Sequence, residues 1–163
     1  MKTKFFQFPG TLIIALAVLP SLSFAQSKPI NVALVTPIQI FPESNSIEGL
    51  RINLIYGKNV SMVGLDWGLV NAVGTGGFTG VQFGIVNMCD GKAVGFQSSL
   101  VNLASSSVEG LQWGWVNSGT HVNGLQLGLV NYAGTMKGLQ IGIINIIKTG
   151  GQFPVFPIVN WSF

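Results

Sequence analysis

Val122-Asn-Gly-Leu-Gln-Leu-Gly-Leu-Val-Asn131 is followed by Met136-Lys-Gly-Leu-Gln-Ile-Gly-Ile-Ile-Asn145. Large apolar residues alternate with Gly or Gln in both. Leu125, Leu127 and Leu129 fall on one face of an extended chain, and Gly124, Gln126 and Gly128 on the other. A period of two is the signature of a strand. Two glycines in each ten residues also argue against a helix. Upstream, the same pattern recurs at 108–117, 93–102, 78–87 and 62–71, with a degenerate copy at 47–56. A frayed last copy closes with Phe156-Pro-Ile-Val-Asn160.

The Asn that ends each copy stands at Asn71, Asn87, Asn102, Asn117, Asn131, Asn145 and Asn160, in steps of 14 to 16 residues. The central polar position is Gln82, Gln97, Gln112, Gln126 and Gln140 in the later copies. Between copies lie turn-like segments such as Gly74-Thr-Gly-Gly77 and Cys89-Asp-Gly-Lys92. The repeats run from about 47 to 163, and Asn31 to Phe41 reads as one further strand ahead of them. Copy four, with Ser98-Ser99 in place of an apolar residue and Gly, and the last copy, with Pro157 in place of Gly, are expected to be locally irregular.

An all-β repeat of this kind can close in two ways. In a small antiparallel barrel of eight or nine short strands, consecutive copies run up and down. In a solenoid of stacked 14–16-residue repeats, like sits on like and the Asn positions form a ladder. The barrel is the primary expectation. The Gln face, Val122, Gly124, Gln126, Gly128, Val130, reads nearly the same in reverse, so antiparallel neighbours could still align in layers. The chain ends in the alternating Val159-Asn-Trp161-Ser-Phe163, a pattern that outer-membrane barrels use as an assembly signal, with Trp161 and Phe163 as its apolar residues. An uncharged face of Leu, Trp, Phe and Ile also suits lipid. Against this, three outward positions per copy are short for a bilayer. In the barrel, Leu125, Leu127 and Leu129 face lipid. In the solenoid they are expected to form the core, with the Gln face outside.

Composition bounds the chemistry. Of 163 residues, 48 % are apolar and only 8 % charged, against about 25 % charged in an ordinary soluble domain. There is one Cys and one His, which excludes an internal disulfide framework and metal sites built from several Cys or His. Met1-Lys2-Thr3-Lys4, the apolar run Thr11 to Pro20 and Ser23-Phe24-Ala25 form the three-part pattern of a secretory signal peptide. The predicted organisation is therefore a signal at 1–25 and a single β domain at 26–163. Beyond Ala25 six basic residues stand against five acidic ones, so no basic patch favours nucleic acid.

The tandem copies, the Tyr56-Gly57 pair and the closing Phe156-Pro-Ile-Val-Asn160 resemble a family of bacterial surface-repeat proteins, which carry GLQIGLVN-type copies behind a signal peptide. The resemblance spans roughly 32–163. It implies an exported protein, placed at the outer membrane or cell surface of a Gram-negative-type bacterium, and it transfers no catalytic residue.

Individual residues point away from catalysis. Arg51 and Asp66 replace Gln in consecutive copies at matching positions, and the pattern predicts a structural ion pair between neighbours. His121 falls in a turn near Ser105, Ser106 and Ser107, without a nucleophile elbow. Cys89 reads as a small buried residue. Trp67, Trp113, Trp115 and Trp161 all lie on the apolar face, where packing or a membrane interface is the simplest use. The functional expectation is a non-enzymatic structural protein of the outer membrane or surface, without cofactor. Its partners would be outer-membrane lipid and, for a barrel, the outer-membrane assembly machinery. The alternative is a secreted or surface-tethered solenoid that binds a protein or glycan.

Overall fold

A computed structural model describes residues 27–163. The predicted signal, 1–25, lies outside them. The described chain is all β, with no helix, so no helix is long and apolar enough to cross a membrane.

Consecutive copies pair in parallel and in register. Gln97 lies beside Gln82, Gln112 beside Gln97 and Gln126 beside Gln112, while Asn87, Asn102 and Asn117 stack in the same order. The chain therefore winds as a β-solenoid of about seven turns, and the barrel expectation is corrected. Extended backbone continues through the corners, so β3 (Ser46–Phe83) and β7 (Val116–Thr149) each cover more than two coils. Between them lie β4 (Val86–Cys89), β5 (Ala93–Ser98) and β6 (Val101–Trp113).

Two features inside each copy decide against straight barrel strands. The first glycine of each copy has positive φ, 129° at Gly110 and 143° at Gly124. A Cβ on Gly110 would run into the Gly95 carbonyl oxygen of the preceding coil. Only glycine tolerates both conditions. The second feature is a corner. Strict alternation from Gln126 would put Asn131 on the leucine face, yet Leu129 is exposed, Val130 is not enclosed and Asn131 is fully buried. Two successive outward residues turn the chain and swing Asn131 inward. A bent copy cannot serve as one membrane-crossing strand, but it closes a coil side by side with its neighbour.

Four rows of side chains fill the interior. Two are apolar. Ile47, Met62, Phe78, Ala93, Val108, Val122 and Met136 open the coils, and Val73, Cys89, Ala104, Ala133 and Ile147 face them. The other two rows are the Gln and Asn positions. The expectation that a solenoid would bury Leu125, Leu127 and Leu129 is therefore reversed. The amides are inside, because stacked coils place identical amides about 4.8 Å apart, close enough to bond to one another.

The ends also differ from expectation. In place of one strand over 31–41, β1 (Lys28–Val35) pairs in parallel with the first coil and turns back through a cis Thr36-Pro37 bond into β2 (Ile38–Gln39). At the other end β8 (Val155–Ser162) runs antiparallel to the last coil. The final copy is thus a cap rather than a coil. Asn160 sits opposite Gln140, off the Asn ladder. Trp161 lies in this capping strand and Phe163 just beyond it. Ile158 in β8 holds φ at 69°. Copy four keeps its register, and its strand breaks at Ser99-Leu100 just where its neighbours break at Gly84-Ile85 and Gly114-Trp115.

Candidate functional site

The interior is a polar network in which two buried acceptors, Asn53 Oδ1 and Gln140 Oε1, lack a partner among the described residues. Along the Asn row each Nδ2 donates to the Oδ1 of the next coil: Asn71 to Asn87 at 2.8 Å, Asn87 to Asn102 at 3.0 Å, Asn102 to Asn117 at 2.9 Å, Asn117 to Asn131 at 2.9 Å and Asn131 to Asn145 at 2.8 Å. The second proton goes to a backbone carbonyl, as from Asn117 to Leu127 at 2.8 Å. The Gln row runs the other way. Gln140 donates to Gln126 at 2.7 Å, Gln126 to Gln112 at 2.8 Å, Gln112 to Gln97 at 3.0 Å and Gln97 to Gln82 at 2.8 Å. Gln82 then donates to Asp66 Oδ2 at 2.7 Å.

Asp66 is where the rows meet. Arg51 donates to both its oxygens, from Nε at 2.8 Å and from Nη2 at 2.6 Å, and both side chains are fully buried. Arg51 Nη1 also donates to the Ala72 carbonyl at 2.9 Å. Asn53, which occupies a glycine position of the repeat, donates to Asp66 Oδ1 at 3.1 Å and to Asn71 Oδ1 at 2.7 Å. It starts the Asn ladder from the first coil, where Tyr56 holds the usual Asn place. Sequence reading passed over Asn53, Asn31 and Asn59. Asn31 donates to Asn59 Oδ1 at 3.0 Å, and Arg51 reaches the same oxygen at 3.3 Å. The available signal was the exchange of Gly for Asn at 53 within an otherwise regular copy.

The side chains of this network are buried, with Arg51, Asp66 and Asn71 at 0 % exposure. His121 is exposed on the turn edge, with Nδ1 at 2.8 Å from Thr135 Oγ1. Ser107 is its neighbour in register on the adjacent coil. Burial pushes the Cys89 thiol up to about 11, and its Sγ donates to the Gly91 carbonyl at 3.4 Å. A thiol kept protonated is a poor nucleophile. Among the described residues no group of three His, Cys, Asp or Glu side chains could hold a metal.

The outer surface is sharply divided. One side carries four outward rows. The two central rows are Ile52, Trp67, Phe83, Ser98, Trp113, Leu127, Ile141 and Leu54, Leu69, Ile85, Leu100, Trp115, Leu129, Ile143. The flanking rows, which start at Leu50 and Ile55, hold only Leu, Val, Phe and Ile. Ser98 is the single polar residue of the four rows. The tryptophans stand well clear of the surface: Trp67 is 60 %, Trp113 59 % and Trp115 61 % exposed. A furrow runs between the central rows over Gly68, Gly84, Gly114 and Gly128, widening into stretches of about 380 and 400 Å³. The glycines are held small by the Asn ladder behind them, since a Cβ on Gly128 would press on Asn117 Nδ2 and Asn131 Oδ1. The exposed charges gather elsewhere. Lys58, Asp90, Lys92 and Lys148 lie on or beside the turn edge and Glu43 before the first coil, while Glu48, Glu109 and Lys137 share the outward row next to the one that starts at Leu50; Lys92 and Glu109 pair at 2.7 Å.

Fold and surface together define a capped, polar-cored β-solenoid with one uncharged apolar side. Comparison of the chain with protein families, with curated proteins and with solved structures finds no match.

Proposed function

We propose that this chain is an exported, non-enzymatic module of the bacterial surface that acts by binding, with its uncharged side as the contact surface. The observation that carries the reading is the division of the exterior: four adjacent apolar rows without a charge, bordered by the outward row that holds Glu48, Glu109 and Lys137. Soluble monomers rarely leave contiguous apolar patches beyond a few hundred Å², and larger ones mark interaction sites. The interior supports the non-enzymatic part of the reading, because nearly all its polar side-chain atoms bond within the network, Asn53 Oδ1 and Gln140 Oε1 excepted. Export and surface placement rest on the signal-like first 25 residues and on the resemblance of the copies to surface-repeat proteins.

The test is surface labelling. A membrane-impermeant amine reagent applied to intact cells should modify the turn-edge lysines Lys58, Lys92, Lys137 and Lys148. Labelling that appears only after lysis would overturn the surface placement.

A further inference from the structure

The chemistry of the apolar side narrows what can cover it. The side continues beyond the seven coils. Ile30 and Val32 of β1 stand beside Leu50 and Ile52, and Val159 and Trp161 of β8 stand beside Ile141 and Leu139. Nine strands at about 4.8 Å spacing make a surface roughly 38 Å long. Protein partners of such area normally exchange about one hydrogen bond per 100–200 Å². The four rows offer one Ser hydroxyl and the indole N–H groups of three tryptophans. An occupant that forms almost no hydrogen bonds is a hydrocarbon.

The backbone is compatible with that environment. Within the coils, main-chain groups bond to the coils on either side, so the apolar side presents no open strand edge along its length. Unpaired peptide groups are what normally bar a β structure from lipid. The charges are also placed for an interface. With the apolar rows down, Lys92 on the turn edge points to water, and Glu109 and Lys137, one outward position beyond the Leu111 and Leu139 row, stand at the boundary. Tryptophan, apolar in body with one N–H, is the side chain enriched at such boundaries.

We infer that the solenoid lies lengthwise on a lipid bilayer, with its four apolar rows seated among the acyl chains at the membrane surface. This rests on the binding reading above and names the partner. Charge has little part in it. The apolar rows are uncharged and the exposed basic and acidic residues nearly balance, so neutral lipid suffices. The furrow over Gly84 and Gly114 would be filled by mobile chains, which need no fixed complementary shape.

Flotation of the purified chain with vesicles of phosphatidylcholine, alone or mixed with phosphatidylglycerol, tests this. The chain should float with both, the anionic lipid changing its partition by no more than about fivefold, since one net basic charge near the surface is worth about 1 kcal/mol. Lipid brominated on its acyl chains should quench the tryptophan emission of the unaltered chain. Trp115→Glu and Leu129→Glu should each reduce flotation at least tenfold while the β-sheet circular dichroism is kept, and Thr75→Glu on the turn edge should leave it unchanged. Should the glutamate variants misfold, quenching of the unaltered chain decides by itself. A chain that stays in the aqueous fraction overturns the inference. So does a dimer in sedimentation that the glutamate variants dissociate without any flotation, which would make a second copy the occupant. Either failure leaves surface placement standing, because lysine labelling on cells reports it independently.

Discussion

Arg51 and Asp66 form a two-pronged, fully buried ion pair, at 2.8 and 2.6 Å, at the point where two opposed amide ladders converge. Donors of the Gln row point toward the carboxylate, and Asn53 turns the network from that carboxylate into the Asn row. The pair therefore does more than neutralise itself. It supplies an acceptor for the last Gln donor and fixes the direction in which both rows run.

Removing one partner should be costly. Arg51→Gln leaves a buried carboxylate without its counter-ion, and Asp66→Gln leaves a buried guanidinium. Each is expected to lose about 3–5 kcal/mol in denaturant unfolding. The double variant restores Gln at both positions, the residue of the later copies, and should recover most of the loss. Two mild, additive single variants would show that the network is not coupled. For contrast, Lys92→Ala breaks a half-exposed pair at 2.7 Å and should change stability by about 1 kcal/mol or less.

The Asn ladder can be cut in the middle. Asn117→Ala strands the Asn102 donor and the Asn131 acceptor, while the Leu127 carbonyl keeps the Gly114 N–H. Each buried polar group left unpaired costs about 1–3 kcal/mol. A loss of several kcal/mol is expected. Asn160→Ala, off the ladder and bonded only within β8 and to Phe153, should cost less. Equal melting temperatures for the two variants would contradict the ordering.

Two backbone positions should respond in opposite directions. Gly110→Ala needs positive φ and drives a Cβ into the Gly95 carbonyl, so it should cost more than the ~1–2 kcal/mol of left-handed strain alone. Ile158 already holds φ at 69° while exposed to solvent. Ile158→Gly relieves that strain and should raise stability by roughly 0.5–1 kcal/mol. Thermal unfolding distinguishes both.

Cys89 should be silent in the folded chain. Iodoacetamide near neutral pH should label it only after denaturation. Burial pushes its thiol up to about 11, from an ordinary 9.0. The fold binds the proton more tightly than the unfolded chain, so this contribution is complete below pH 9 and is lost as pH rises toward 11. Stability of the wild type should fall across that window more steeply than that of Cys89→Ala.

Much of this protein follows from its sequence alone. The copies of 14 to 16 residues, their extended conformation and the distinction between a Gln face and a leucine face are local properties, set by side-chain alternation and by glycine. So is the pairing of Arg51 with Asp66 across neighbouring copies, because matching positions become neighbours in either architecture. Parallel or antiparallel winding is not local. The motif reads almost the same in both directions, so periodicity cannot choose between them. The choice lies in the tertiary structure. Positive φ at Gly110 and its equivalents and the corner at Leu129-Val130 bend each copy, and parallel stacking then brings identical amides within bonding distance. That stacking turned Asn131 inward against the alternation, made β8 a cap rather than another coil, and placed the leucines outside. The amide-to-amide bonds run only from one coil to the next, and no single copy contains them.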